Sequence, residues 1–369
     1  MASGARALLS PVARAVREAR AWSRGAVASV PPRSGGALVS YGHTRLPGPN
    51  DLAVGGIIKL QYLAREFPNT PYRFNVLYLV TSRLPDGAVT LARWAKKKGA
   101  RVVLNQNGVA YPGWYGEGWQ RVNAPMRELL ALADHVLYQS AFCKQTADQF
   151  VGAAAGPWEI LHNAVDEQVF TPGPARAGNG MTLLLSGSQD AWYRYEAAAR
   201  TLAELRRRKH DARLIVTGRL GWRQDQAAAR READDLAQQL AVADRLEFAG
   251  RYSQADAPGL YRRADILIHT KYNDPCPSVV VEAMASGLPV VYSATGGVPE
   301  LVGDAGVGIV TETSFERDIP PAPEAMADAV ETVARDRAGY AARARARVLS
   351  HLSLEAWMAR HRAVFSGTS

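Results

Sequence analysis

Cysteine is scarce here: Cys143 and Cys276 are the only two in 369 residues. Two thiols make neither a disulfide framework nor a metal-ligand pattern, and a reducing cytosol suits them. No Asp-x-Asp pair occurs and no His/Cys cluster has ligand spacing, so no metal site and no metal cofactor is expected. A GxSxG nucleophile elbow and a Walker A loop are missing too. No uninterrupted apolar run is long enough to span a bilayer. Acids are nearly absent from the first 50 residues, where Glu18 stands against Arg6, Arg14, Arg17, Arg20, Arg24, Arg33 and Arg45. That stretch holds +6 of the net +9, leaving +3 for the other 319 residues. So small an excess argues against a nucleic-acid-binding face on the folded part.

What is present describes a globular protein, 47% hydrophobic and 21% charged, and too long for one ordinary core. Two domains follow, at 37–172 and 173–351, with a basic extension over 1–36 and a terminal helix over 352–369. The extension spaces Leu9, Val12, Val16 and Ala19 helically between arginines. Three readings of it stand: a segment on an anionic membrane surface helped by Trp22, an organellar transit peptide, and a solvated flexible tail. Pro31-Pro32 to Gly35-Gly36 then reads as a linker.

From residue 37 the chain alternates. Strands are expected at 37–41, 74–81, 101–105 and 135–139, with helices from Gly55-Gly56, at 87–98, 122–133 and 141–150. A second run gives strands at 183–186, 213–217, 246–250, 266–269 and 288–292. Its helices are expected from about Tyr193, at 226–240, around Leu260, Tyr261 and Ala264, and at 321–337, 338–350 and 354–365. Alternation of this kind implies two doubly wound parallel sheets, whose ligands bind at the carboxyl ends of the strands. Asn105-Gln106-Asn107-Gly108 lies at one such end. The loop 109–120, rich in aromatics and glycine, suits either a sugar-stacking acceptor loop or a packed surface loop.

The stretch 272–300 carries the most chemistry. Asn273-Asp274-Pro275 is a turn cluster, Pro277 suits the first position of a helix, and Gly287 suits its C-cap. The first N–H groups of that helix, around Ser278 and Val279, have no intrahelical partner and can seat an oxyanion such as a pyrophosphate. Glu282 projects one turn behind, where a carboxylate can accept two hydrogen bonds from a vicinal diol such as a ribose. Asp274 places a second acid beyond the phosphate position.

Asp274-x7-Glu282, with AMASGLPVV and GGVPELV after it, resembles the E-x7-E signature of family 4 glycosyltransferases. The resemblance covers roughly residues 50–310, strongest from 245 to 303. It implies the GT-B fold, two Rossmann-like domains facing a cleft, with the terminal helix crossing back to the first. It also implies a retaining, metal-independent transfer of sugar from a nucleotide-sugar donor to a carbohydrate or lipid-linked acceptor. In that family the second acid, here Glu282, holds the ribose and the first, here Asp274, meets the donor sugar. By the same resemblance Gly55 and Gly56 approach the diphosphate, Gly187 and Arg194 belong to the phosphate site, and Arg251 and Tyr252 lie at the base. LHNAVDEQVFTP at 161–172 matches the interdomain segment through Asn163, Val165, Asp166, Phe170 and Pro172; it reads as a strand and a turn capped by Asp166.

The chain also departs from the pattern. Asp274 is one methylene shorter than Glu, and Ser188 stands where relatives carry a phosphate-binding Arg. Asn107 stands near the place of a reaction-centre His, and it cannot shuttle a proton at neutral pH. Two further readings therefore stay open: a non-catalytic sugar-nucleotide-binding scaffold, and a sugar-nucleotide epimerase or hydrolase of similar shape. A cytoplasmic location, peripheral at the membrane face, and a role in cell-envelope polysaccharide synthesis complete the expectation.

Overall fold

The computed structural model describes residues 11–48, 51, 55–174 and 180–367. Leu9, part of the loop after the first strand and residues 175–179 fall outside the described residues. The chain divides into two compact units. The N-terminal unit takes the described residues up to Pro112, Glu117–Asn163 and those from Glu355 onward; the C-terminal unit takes Gly113–Gly116 and Ala164–Leu354.

In chain order the N-terminal half holds α1 (Pro11–Val27), β1 (Val39–Ser40), α2 (Gly55–Ala64), β2 (Val76–Val80), α3 (Ala88–Lys97), β3 (Arg101–Gln106), α4 (Pro112–Tyr115), α5 (Trp119–Leu132), β4 (His135–Tyr138), α6 (Ala141–Phe150) and β5 (Trp158–Ile160). Its five strands are parallel and lie in the order β1-β2-β3-β4-β5. Strands β2 and β4 are buried along their whole length, as apolar runs in parallel sheets are.

The C-terminal half holds β6 (Met181–Leu185), α7 (Trp192–Arg207), β7 (Ala212–Thr217), α8 (Gln226–Gln239), β8 (Leu246–Gly250), α9 (Ala257–Tyr261), β9 (Ile266–His269), α10 (Ser278–Ala285), β10 (Val290–Ser293), α11 (Val298–Val302), β11 (Gly306–Ile309), α12 (Pro323–Arg335), α13 (Arg337–His351) and α14 (Leu354–Ser366). Its six parallel strands are ordered β11-β10-β9-β6-β7-β8. The chain winds outward from β6 to β8, then returns to the other side of β6 at β9. The carboxyl ends of β6 and β9 therefore flank the reversal of strand order, where sheets of this kind open a crevice.

Helix α14 packs within the N-terminal unit. Phe365 meets Tyr78 and Phe67 edge-on at 5.6 and 5.1 Å, and the Tyr78 hydroxyl lies 3.1 Å from His361 Nε2. Arg360 pairs with Glu159 at 2.6 Å and Arg362 with Glu66 at 2.7 Å.

The structure departs from several expectations. The basic tail, open in sequence to three readings, is helical over Pro11–Val27 and lies on α3. Its buried face is Ala21, Gly25 and Ala28, while Val16 and Trp22 are exposed. Glycine permits the close approach, since a Cβ at Gly25 would stand 2.7 Å from Trp94 Cγ. Thr90 donates to Glu18 at 2.7 Å, and Lys98 Nζ donates to the Ala26 and Ala28 carbonyls at 2.6 Å each. A cation at that end also suits the helix dipole. The strand expected within 161–172 is extended backbone with a single bridge, Val165 to Ser353. Asp166 caps the turn after it, its Oδ1 accepting from Gln168 N–H at 3.3 Å. Elements α4, β5, α11 and β11 carry too little periodicity to be read from sequence.

Substituting Gly25→Leu forces an overpacked α1–α3 contact costing about 1–3 kcal/mol. Limited proteolysis is expected to cut the variant within α1 faster than wild type. Gly35→Leu, with nothing within 4 Å of a Cβ there, is the control that leaves the cutting rate unchanged.

Candidate active site

The reversal of strand order in the C-terminal unit is closed by two interlocked turns. After β9, Asn273 takes a left-handed φ of 49°, which asparagine tolerates better than most residues. Its N–H donates to Thr295 Oγ1 at 2.9 Å and its Nδ2 to the Ser314 carbonyl at 3.0 Å. The Asp274 carbonyl accepts from Gly297 N–H at 2.9 Å. Gly296 presses against the same backbone: a Cβ there would lie 2.4 Å from the Asp274 carbonyl oxygen. Only glycine fits the Thr295-Gly296-Gly297 turn, so the turn holds Asp274 in place.

Helix α10 begins at Ser278, with Pro277 at the N-cap rather than at the first helical position. Among the described residues no side chain caps this end, so the N–H groups of its first turn keep their capacity for an anion. Gly187, with φ 83° in the loop after β6, approaches that turn; a Cβ there would be 3.3 Å from Val279 Cγ1. The structure thus brings together Gly187, Asp274, Ser278, Val279 and Glu282 around the β6–β9 crevice.

The two acids sit in opposite electrostatic surroundings. Asp274, 7% exposed, has Oδ2 at 3.2 Å from His269 Nε2 and 3.1 Å from Lys271 Nζ. Burial pushes its pKa up, but Lys271, then His269 and Arg194, outweigh that and hold the carboxyl well below the usual range. Burial lowers the pKa of His269, against the pull of Asp274, so the neutral ring donates Nε2–H to the carboxylate. Glu282, 5% exposed on α10, accepts from the Tyr261 hydroxyl at 2.8 Å and from Gln254 Nε2 at 3.4 Å. Here burial wins over those bonds and raises the pKa to about 7. Tyr261 continues to Ser186 Oγ at 3.2 Å and Ser186 to the Tyr252 hydroxyl at 3.1 Å, linking the ends of β6 and β8 to α10.

Arg194 is not displayed in the crevice. It is 6% exposed on α7, and its guanidinium donates to the Ser188 carbonyl, bracing the loop after β6. Arg251 is exposed at the end of β8. Ser186, Gln254, Tyr261 and Thr295 were not singled out by sequence. A buried tyrosine hydroxyl usually finds a partner, yet nothing in the local pattern says that Glu282 is that partner.

The remaining candidates lie in the N-terminal unit. Gly55 and Gly56 open α2, and a Cβ at Gly56 would be 2.7 Å from Ser82 Oγ. Asn107 follows β3, its N–H donating to Thr81 Oγ1 at 2.9 Å. In the orientation that satisfies both ends of its amide, the Asn107 oxygen accepts from Ser82 Oγ and Lys59 Nζ, each at 3.2 Å. Lys59 Nζ and Gln139 Nε2 also reach Asn105 Oδ1, at 3.3 and 2.9 Å. Among the described residues no group of three His, Cys, Asp or Glu could hold a metal ion.

Residues 173–347 match the family described as glycosyl transferases group 1. The D-inositol 3-phosphate glycosyltransferase of Mycobacteroides abscessus is 33% identical over 206 residues, 53% of this chain and 44% of the relative. That of Mycobacterium bovis is 30% identical over 223 residues, covering 58% and 42%. The chain thus spans less than half the length of these relatives. Among solved structures, HepE of Anabaena in complex with UDP superposes with a TM-score of 0.65 at 20% identity, covering 84% of this chain and 81% of that one. WaaG, a glycosyltransferase of lipopolysaccharide biosynthesis, gives 0.62 at 15% identity, covering 89% and 99%. The fold is GT-B, and the similarity to group 1 glycosyltransferases lies in residues 173–347, just under half of the chain.

Because the pKa of Glu282 is higher in the fold than the ordinary 4.5, the folded chain binds more protons than the unfolded one between those values. Stability therefore falls as pH rises from about 4.5 through about 7. Glu282→Gln removes that penalty. Calorimetric unfolding is expected to show the variant gaining about 1–3 kcal/mol on wild type at pH 8, with the gap closing by pH 4.5.

Proposed function

We propose that this chain transfers a sugar, with retention, from a nucleotide-sugar donor to an acceptor hydroxyl without a bound metal. The observation that carries the reading is the uncapped start of α10 in the β6–β9 crevice, with Asp274 ahead of it and Glu282 one turn behind. The diphosphate is read onto the N–H groups of Ser278 and Val279, beside Gly187. Glu282 is read onto the ribose diol and Asp274 onto a sugar hydroxyl. The names of the relatives support the donor class, and HepE was solved with UDP.

Chemistry follows from charge. The anomeric C–O bond breaks with its electron pair moving to the diphosphate oxygen. N–H groups fixed in advance at the α10 start stabilise that charge most in the transition state. Asp274, held ionised, accepts a hydrogen bond from the sugar and supplies no proton. The acceptor oxygen attacks from the face the diphosphate leaves, and its proton passes to the departing oxygen. A carbohydrate or lipid-linked acceptor, in polysaccharide or other glycoconjugate synthesis at the cytoplasmic membrane face, completes the reading. Among the described residues no helix is long and apolar enough to cross a membrane.

Calorimetric titration with UDP, GDP, ADP and TDP tests the site. One nucleotide is expected to bind in the presence of EDTA, and Glu282→Ala to lose at least about tenfold in affinity, as a two-bond ribose contact implies. Binding by the variant equal to wild type sinks the ribose role. A nucleotide bound with no turnover across acceptors favours the scaffold reading, and free sugar released without an acceptor favours a hydrolase.

A further inference from the structure

A diphosphate that leaves with added charge needs a cation, and Arg194, the candidate read from the sequence, is turned inward. The Arg194 guanidinium braces the Ser188 carbonyl and is almost fully buried. Lys271 is placed differently. It lies two residues beyond the end of β9 with its side chain 31% exposed and its ammonium 3.1 Å from Asp274 Oδ2. Its neighbours pin the segment to the first turn of α7: Thr270 Oγ1 donates to the Arg194 carbonyl at 2.8 Å, and Tyr272 N–H donates to the Tyr193 hydroxyl at 3.0 Å. The backbone carrying Lys271 is thus fixed to the elements on both sides of the crevice, while its long side chain keeps an exposed end.

Resting on the donor-site reading above, we infer that Lys271 is the cation that meets the donor diphosphate, Asp274 holding the ammonium until the donor arrives. As the anomeric C–O bond breaks, the electron pair arrives on a phosphate oxygen to which the ammonium donates a hydrogen bond. Lys271 keeps its proton; the proton on the leaving oxygen comes from the acceptor hydroxyl. A charge-assisted bond of this kind strengthens as charge develops, so it acts on the transition state beyond the ground state. Asp318, on the loop after β11, also lies in the field of Lys271; burial raises its pKa to about 6 and the ammonium opposes that rise. The ammonium thus pairs with Asp274 and acts at longer range on Asp318, and the more highly charged diphosphate competes with both.

The rival role for Lys271 is only to neutralise Asp274. Calorimetry with UDP and with inorganic pyrophosphate on four variants separates the two. Lys271→Gln is expected to lose at least about tenfold in affinity for both probes, and Lys271→Arg to retain most of it. Asp274→Asn alone should bind both probes at least as tightly as wild type. The decisive protein is the double variant Lys271→Gln/Asp274→Asn: direct contact leaves it as weak as Lys271→Gln. Recovery of wild-type affinity in the double variant overturns the inference, because the loss would then come from an unpaired Asp274 repelling the probe. Unchanged binding by Lys271→Gln overturns it too, and leaves the donor site standing if Glu282→Ala loses affinity for UDP. Should wild type bind neither probe, the donor-site reading falls and this inference with it.

Discussion

The C-terminal crevice depends on one close backbone approach, that of Gly296 to the Asn273-Asp274 peptide. Without a side chain at 296 the two turns interlock: Asp274 receives a hydrogen bond from Gly297, and Asn273 is held left-handed by Thr295 and Ser314. The position of Asp274 follows from that lock. A Cβ at Gly296 would need the peptide to move by about an ångström, and Asp274 would move with it. The oxyanion seat proposed at the start of α10 would tolerate little of that, because its donors are fixed in the backbone and cannot rotate to compensate.

Around that lock the protein places two carboxylates eight positions apart in opposite electrostatic states. Desolvation is the largest influence on each. It prevails at Glu282, whose partners are a neutral hydroxyl and an amide. It is overcome at Asp274, whose partners include an ammonium and an imidazole. The difference is one of charge on the neighbours rather than of depth. It suits a division of labour in which one acid remains a permanent acceptor while the other gains most from a diol that hydrogen-bonds its ionised form.

The alternation of strands and helices, the acid pair and the start of α10 were legible because each is written within a few adjacent residues. Pro277, Gly287 and the Gly296-Gly297 pair are local backbone requirements, and periodicity places the long helices to within a few positions. What stayed hidden is written across distance. Tyr261 lies 21 positions from the carboxylate it bonds, and Tyr193 lies 79 from the peptide it receives. Arg194 reads as a displayed phosphate cation, and only packing turns it inward toward Ser188. The packing of α1 hid for a similar reason. Its arginines and isolated apolar residues suggest a solvated or membrane-facing segment, whereas the contact is made by alanine and glycine, whose small size permits the approach and leaves no hydrophobic signal.

The two sheets explain why similarity to the family concentrates in 173–347. The six-stranded sheet reverses its strand order between β6 and β9, so its crevice is a consequence of topology. The five-stranded sheet runs β1 to β5 without a reversal, and no crevice is given by winding alone. The polar groups at its carboxyl edge, Lys59, Asn105, Asn107 and Gln139, are gathered by side chains from three elements and the loops that follow them. Such a cluster can be rebuilt residue by residue without disturbing the sheet beneath it. A unit built in that way is free to diverge, while the unit whose crevice is made by its winding changes least.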